Sequence, residues 1–183
     1  MLKSVMSLAF FGCFRAGELC QPDTVNFDPK LHLTFGDITF DLGNSQISLF
    51  LKQSKTDRTN TGVEVRIGCS SHAICAYCLL SQYVQRHPDP RDSSPLFLDT
   101  NFNILRKSYF ISTTKLLIAA LGLDATKFSG HSFRAGSATS GAESGFSEWE
   151  LKLLGRWASD AYTIYLRNPK IITTFAERLT KTD

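Results

Sequence analysis

Residues 31–67 constrain the fold more than any other part of the chain, because apolar and polar residues alternate there with a period of two. Such alternation is typical of strands that bury one face. The alternating segments are residues 33–35, 38–40, 47–51 and 63–67, with turn residues at Gly43-Asn44 and Asn60-Thr61-Gly62. We therefore expect a small antiparallel sheet of three strands.

The rest of the chain shows helical patterns. Residues 2–13 are apolar almost all round, which predicts a buried helix. Ser70 or Ser71 can begin a helix that runs to about Arg86. Further helices are predicted at residues 106–121, 132–143, 147–154, 161–165 and 169–180. A chain of 183 residues that is 43% hydrophobic can bury one core, so we expect one α+β domain, mainly α-helical, over residues 1–183.

The charge distribution permits nucleic-acid binding without requiring it. The net charge is +3, and residues 105–183 carry eleven Lys and Arg against seven Asp and Glu. Many domains that bind no nucleic acid carry as much. The apolar start of the chain is too short to span a bilayer and lacks the cleavage site of a signal peptide. We therefore expect an intracellular protein with no membrane partner.

Five cysteines, an odd number at irregular spacing, favour reduced thiols. Cys69, His72, Cys75 and Cys78 follow one another at intervals of three residues, which raises the question of a zinc site. The same interval places residues on the core-facing side of a helix, and no second cysteine pair has the spacing of a zinc ribbon. We therefore expect core packing here and no metal site.

The residues suited to chemistry are spread along the whole chain. His131 and Arg134 are three residues apart, so they share one face of a helix, and Tyr165 follows on a later helix. Arg15 and Lys55 precede them. Guanidinium groups match the oxygens of a phosphate, lysine and histidine can transfer protons, and a phenol can act as a nucleophile. This set predicts attack on a phosphodiester by a tyrosine.

The order of these residues resembles the catalytic domain of the tyrosine recombinases, the phage-integrase family, over nearly the whole chain. Any one motif is weak, but four in the right order are strong together. The four segments that carry the resemblance are Arg15-Ala16-Gly17-Glu18-Leu19, Ser54-Lys55-Thr56-Asp57, His131-Ser132-Phe133-Arg134-Ala135-Gly136 and the stretch from Gly155-Arg156-Trp157 to Thr163-Ile164-Tyr165. The recombinases of DIRS-like and Crypton-like eukaryotic mobile elements are the nearer match for three of these pieces, which are Ser54-Lys55-Thr56-Asp57, His131-Ser132-Phe133-Arg134-Ala135-Gly136 and Gly155-Arg156-Trp157.

The resemblance implies a site-specific DNA recombinase or integrase that cleaves and rejoins DNA through a 3′-phosphotyrosyl intermediate, without metal or nucleotide cofactor. It implies double-stranded DNA as partner and a homotetramer on two duplexes, with the helix at residues 169–180 docked on a neighbour. We expect a nuclear location, and no N-terminal core-binding domain, because Met1 opens directly on the first catalytic-domain helix. Two alternatives stay open: a domesticated, non-catalytic DNA-binding domain, and DNA relaxation like that of type IB topoisomerases.

The resemblance assigns phosphate binding to Arg15, Arg134 and Arg156. Because Arg15 has apolar neighbours, it could instead form a buried ion pair with Glu18. The second histidine of the family is missing: a gap-free match puts Arg156 at its position, with Trp157 beside it. Either the indole N–H of Trp157 donates to the phosphate or Arg156 adds a third cation, and the sequence leaves both open.

The resemblance also assigns the proton transfers and the nucleophile. Lys55 would protonate the departing 5′ oxygen, with Lys52 as its rival. His131 would assist the tyrosine, although it could serve only as a helix cap. Tyr165 is the expected nucleophile because its distance from the Gly-Arg-Trp segment matches the family, and Tyr162 is the competitor. The expected catalytic residues are therefore Arg15, Lys55, His131, Arg134, Trp157 and Tyr165.

Overall fold

The computed structural model describes residues 1–54, 61–87 and 89–166. Within these ranges the helices are α1 (Leu2–Phe11), α2 (Ala16–Leu19), α3 (Ala76–Val84), α4 (Lys107–Ala120), α5 (Ser132–Glu143) and α6 (Glu148–Gly155). Short 3-10 helices cover Phe35–Asp37, Ala125–Lys127 and Asp160–Tyr165. The strands are β1 (Ile38–Asp41), β2 (Gln46–Leu51) and β3 (Val63–Gly68). The expected α+β fold, mainly helical with one three-stranded antiparallel sheet, is confirmed.

The sheet has the strand order β1-β2-β3, and each strand runs antiparallel to its neighbour. Ile47, Leu49 and Leu51 of β2 are buried, whereas the residues between them are more exposed. Across the pair, Ile47 lies opposite Ile67 and Leu49 lies opposite Val65. Because successive side chains of a strand point to opposite faces, these residues form one apolar face. That face covers one side of the main core.

Helix α1 lies at the centre of the main core. Its residues Val5, Leu8 and Ala9 are at most 1% exposed, and the helix packs against α3 and α5. The buried hydroxyl of Ser4 donates to the carbonyl of Leu79 at 2.8 Å, which offsets the cost of removing it from water. This packing fixes the end of α1, from which the chain turns into α2.

A smaller buried cluster joins α5, α6 and the 3-10 helix Asp160–Tyr165. Its buried members are Cys13, Ala138, Leu151, Trp157 and Tyr162. At its edge, the hydroxyl of Thr139 donates to the backbone carbonyl of Tyr165 at 2.7 Å. This hydrogen bond and the cluster set the position of both tyrosines relative to α5.

Some boundaries differ from the sequence-based expectation. Residues 33–35 form no strand, because Phe35 begins a 3-10 helix. Helix α3 begins only at Ala76, and Cys75 occupies the cap position that we assigned to Ser70 or Ser71. The four-residue helix α2 was not predicted, since so short an element shows no periodicity. The helix predicted at residues 169–180 lies outside the described residues. None of the helices between residues 1 and 166 that the structure describes combines the length and apolar character needed to cross a membrane.

Candidate active site

Arg15 is the N-cap residue of α2. The carboxylate of Glu18 accepts hydrogen bonds from the Arg15 guanidinium and from the Arg15 backbone N–H, both at 2.8 Å. The helix begins in this way because the carboxylate one turn later satisfies an N–H that has no partner within the helix. The ion pair with Glu18, which the sequence left open as an alternative role for Arg15, is therefore present. The side chain of Arg15 is still 18% exposed, and it also donates to the hydroxyl of Ser54 at 3.5 Å.

Glu18 is shared by two arginines that are far apart in the sequence. Its side chain is only 5% exposed, and its Oε2 accepts from Arg156 at 3.1 Å. Arg156 follows the last residue of α6 in the left-handed conformation, with φ of 55°. Its guanidinium also donates to the carbonyls of Gly12 at 2.9 Å and Cys13 at 3.3 Å. One buried carboxylate thus holds the guanidinium groups of Arg15 and Arg156 side by side.

Arg134, on α5, is the third guanidinium and is only 1% exposed. It donates to the backbone carbonyls of Cys13 and Gly155, and its Cζ lies 4.3 Å from the centroid of the Trp157 ring. In the part of the chain that the structure describes, it forms no ion pair with a carboxylate. A buried charge is costly unless it is hydrogen-bonded. The two carbonyls and the Trp157 ring therefore stabilise the guanidinium of Arg134 in its buried position.

The electrostatics of the three guanidinium groups favour an anion. Burial lowers the pKa of Arg134 and that of Arg156, and the positive charge of Arg15 lowers both further. The negative charge of Glu18 acts in the opposite direction on both pKa values. Among the described side chains, three guanidinium groups lie near one carboxylate, which is an excess of two positive charges. A phosphate placed beside them would relieve this repulsion.

An open cleft with a volume of about 620 Å³ borders Arg15. Ser54, Lys107 at the start of α4 and His131 also line it. His131 is exposed and occupies the N-cap position of α5, but its side chain makes no capping hydrogen bond. The imidazole is therefore available to a ligand in the cleft. The structure brings Arg15 and His131 to the same cavity.

Trp157 connects Arg134 to both tyrosines. Its ring centroid lies 6.1 Å from that of Tyr162 and 5.8 Å from that of Tyr165. Tyr162 is only 6% exposed and belongs to the buried cluster, whereas Tyr165 is half-buried at its edge. Among the described residues that line the cleft beside Arg15, neither tyrosine is present. Among the contacts that the structure describes, Trp157 is what links Tyr165 to Arg134.

Of the two candidate lysines, only Lys52 can be placed. Its ammonium group pairs with the carboxylate of Asp37 and donates to the hydroxyl of Thr34 at 3.1 Å. It is therefore engaged in holding the 3-10 helix Phe35–Asp37. Lys55 lies outside the described residues, so its assignment stays a prediction.

Three features of the site are visible only in the structure. The pair of Glu18 with Arg156 joins residues 138 positions apart, and no local pattern indicates it. Lys107 faces the cleft because its backbone N–H bonds to the carbonyl of Gln21, next to α2. A Cβ atom at Gly155 would lie 1.8 Å from the ring of Trp157. Glycine is therefore required there for Trp157 to pack against the end of α6.

The chain is similar in sequence to the integrase/recombinase xerD homolog of Selenomonas ruminantium, with 29% identity over 147 residues. The match covers 77% of this chain and 39% of that protein, so the chain spans about two fifths of the length of its relative. No family model matches the chain.

Solved structures share the fold over nearly the whole chain. The XerA recombinase matches with a TM-score of 0.71 and 20% identity, over 98% of this chain and 57% of that chain. The XerH site-specific recombinase, in a pre-cleavage complex with its difH substrate, matches with a TM-score of 0.64 and 18% identity, over 98% and 46%. The Tn1549 transposon integrase, in complex with circular intermediate DNA, matches with a TM-score of 0.59 and 17% identity. This match covers 96% of this chain and 56% of that chain.

The fold, the order of the motifs and the sequence similarity agree with one another. The structural likeness establishes the fold, and the xerD homolog adds similarity in sequence over most of the chain. The closer affinity to DIRS-like or Crypton-like elements stays a prediction. The chain is similar in sequence to an integrase/recombinase and shares the fold of solved recombinases over nearly its whole length.

Proposed function

We propose that this chain is the catalytic domain of a site-specific DNA recombinase or integrase, which cleaves and rejoins double-stranded DNA through Tyr165. The observation that carries the proposal is the group of three buried or half-buried guanidinium groups, two of which share Glu18. Trp157 packs against the third, that of Arg134, and Tyr165 packs against Trp157. The similarity to recombinases supports it.

The arginines differ in how they would act on the scissile phosphate. Arg15 is partly exposed and borders the cleft, so a phosphate oxygen can reach its guanidinium directly. Arg134 and Arg156 are bound to backbone carbonyls and lie deeper. A guanidinium has five N–H donors, so each can keep its carbonyl partners and still act on a phosphate. Their charges also stabilise the negative charge that builds up on the phosphate oxygens.

The proposed reaction is an exchange of ester bonds. The phenolic oxygen of Tyr165 forms a bond to phosphorus as the bond from phosphorus to the 5′ oxygen breaks. The phenol gives up its proton, and the departing oxygen takes one up, with His131 and Lys55 as the proposed proton carriers. The 5′ hydroxyl of a partner strand then reverses the step. The bond energy is kept in the phosphotyrosyl link, so the balance needs no nucleotide or oxidant.

Tyr165 must move for this reaction, since it packs on Trp157 away from the cleft lining. The 3-10 helix that carries it is short, and its last backbone carbonyl is held by one hydrogen bond from Thr139. We propose that DNA in the cleft draws the phenol from the aromatic cluster toward the phosphate. Such closure on binding is a common device of enzymes.

The proposed partners extend beyond one chain. Structures of XerH and of the Tn1549 integrase contain DNA. We propose duplex DNA as the partner of this chain, four protomers on two duplexes as the active assembly, and the nucleus as its location. The net charge of +4 over residues 105–183 is consistent with a polyanionic partner.

A pool of duplexes with a randomised centre and a nick in one strand tests the proposal. Cleavage beside a nick releases a short fragment, so the covalent adduct is trapped and survives SDS. We expect an adduct with the wild-type chain, none with Tyr165→Phe, and a retained adduct with the matched control Tyr162→Phe. DNA binding with no adduct would overturn the proposal in favour of a non-catalytic domain. Relaxation of supercoiled plasmid without strand exchange would instead identify a topoisomerase.

A further inference from the structure

Cys69, Cys75 and Cys78 form a cluster of thiols at the junction between β3 and α3. Their Sγ atoms all lie within 4.8 Å of one another. The sulfur of Cys69 is 3.6 Å from that of Cys75 and 3.7 Å from that of Cys78. Our expectation of core packing assumed one helix from Ser70 onward. Because α3 begins at Ala76, the three thiols instead converge from a strand end, a helix cap and the first helical turn.

The sulfur–sulfur distances match those of a tetrahedral thiolate site. Zinc binds cysteine sulfur at about 2.3 Å, and the tetrahedral angle then separates two sulfurs by about 3.8 Å. A disulfide would need two sulfurs about 2.05 Å apart, and here three converge instead. Thiols are weak hydrogen-bond donors, so hydrogen bonding alone gives little reason for three of them to gather.

One backbone N–H is directed at a sulfur of the cluster. The backbone N–H of Ser70 donates to the sulfur of Cys75 at 3.3 Å. N–H groups directed at a coordinating sulfur are typical of the outer shell of metal sites. Cys75 is fully buried, whereas Cys69 and Cys78 are half-buried, so the cluster is closed toward the core and accessible from the outside.

His72 can supply a fourth ligand. It lies in the loop that connects Cys69 to Cys75, and its side chain is exposed. The imidazole is not among the ligand atoms that converge in the described structure. We assign His72 the fourth position because the short loop that carries it has a proposed ligand at each end, Cys69 and Cys75.

We propose that Cys69, Cys75 and Cys78 bind one zinc ion through their thiolates, with His72 as the fourth ligand. Four protein ligands of this kind are typical of structural zinc sites. The ion would hold the end of β3 to the start of α3, which packs against α1 in the core. The proposal does not depend on the recombinase activity.

Zinc content tests the proposal on the purified chain, supplemented with zinc and dialysed in reducing buffer. We expect about one zinc per chain by mass spectrometry, as befits a single closed site. The control variant Cys20→Ala, which lacks a buried thiol outside the cluster, should keep its bound zinc. The variants Cys69→Ser and Cys78→Ser should lose the bound zinc. Cobalt(II) provides an independent readout, because thiolate ligands give charge-transfer bands and a tetrahedral site gives intense ligand-field bands.

A measurement without substitution guards against variants that fail to fold. Zinc should protect three of the five thiols from alkylation, and EDTA should remove the protection. Wild-type chain that retains no zinc, with these three thiols reacting equally with and without the metal, would overturn the proposal. In His72→Ala, we expect a changed cobalt spectrum and weaker binding. An unchanged spectrum would overturn the assignment of the fourth ligand.

Discussion

Glu18→Gln removes the negative charge that the guanidinium groups of Arg15 and Arg156 share, and it keeps the shape of the side chain. The carboxylate pairs with Arg15 at 2.8 Å and with Arg156 at 3.1 Å, and it is only 5% exposed. Removal of one partner from a buried pair costs about 3–5 kcal/mol. Because the amide oxygen can still accept one hydrogen bond, we expect the free energy of unfolding to fall by about 2–4 kcal/mol.

Urea denaturation at neutral pH, followed by circular dichroism, measures this loss. Added sulfate should stabilise Glu18→Gln more than the wild type, because an anion can then take the place of the missing carboxylate. This second arm separates a loss of charge from a simple loss of packing.

The control is Glu64→Gln, which removes an exposed carboxylate that pairs with Arg66 at 2.7 Å. Solvent screens such a pair, so its stability should equal that of the wild type within error. Equal losses in the two variants would refute the reasoning. So would a sulfate effect of the same size in Glu18→Gln and the wild type.

Three further substitutions test other parts of the account. Gly155→Ala places a Cβ 1.8 Å from the Trp157 ring, so we expect about 1–3 kcal/mol of destabilisation, seen as a lower Tm. An unchanged Tm would contradict this. Burial raises the pKa of the Cys20 thiol to about 12. Above about pH 8.5 the unfolded chain loses this proton while the folded chain keeps it, so stability should fall with pH by up to about 1.4 kcal/mol per unit. Urea denaturation at several pH values measures this fall in the free energy of unfolding, which should be shallower in Cys20→Ala. Equal slopes against pH in the variant and the wild type would contradict the prediction. Lys107→Gln should weaken duplex binding and reduce the slope of log affinity against log salt by about 0.9, measured by fluorescence anisotropy. Lys127→Gln, outside the cleft, should leave that slope unchanged, and equal effects would argue against a contact from Lys107.

The sheet could be predicted because its evidence is local. In β2 the alternation of buried Ile47, Leu49 and Leu51 with more exposed residues is visible in six consecutive positions. Helix α5 was predicted at its observed bounds. His131 is its N-cap residue, and Arg134, in its first turn, is buried. Such patterns depend only on the pitch of a strand or a helix.

The contacts of the site could be predicted only in part, because they join distant segments. An arginine between Phe133 and Ala135 indicates a charge that needs partners, but not which ones. The partners of Arg134 are carbonyls 121 and 21 positions away. The convergence of the three thiols could not be predicted for a related reason. Its geometry depends on α3 starting after Cys75, and element boundaries are the least certain part of a sequence-based prediction.

Identification of the residue that carries the DNA tests the central claim most directly. Trypsin cleaves after Arg156 and Arg167, so one peptide contains both Tyr162 and Tyr165. The trapped adduct is digested with nuclease and trypsin, and fragmentation of this peptide in a mass spectrometer locates the nucleotide. We expect the nucleotide on the phenolic oxygen of Tyr165. A nucleotide on Tyr162, or on a residue outside this peptide, would contradict the account.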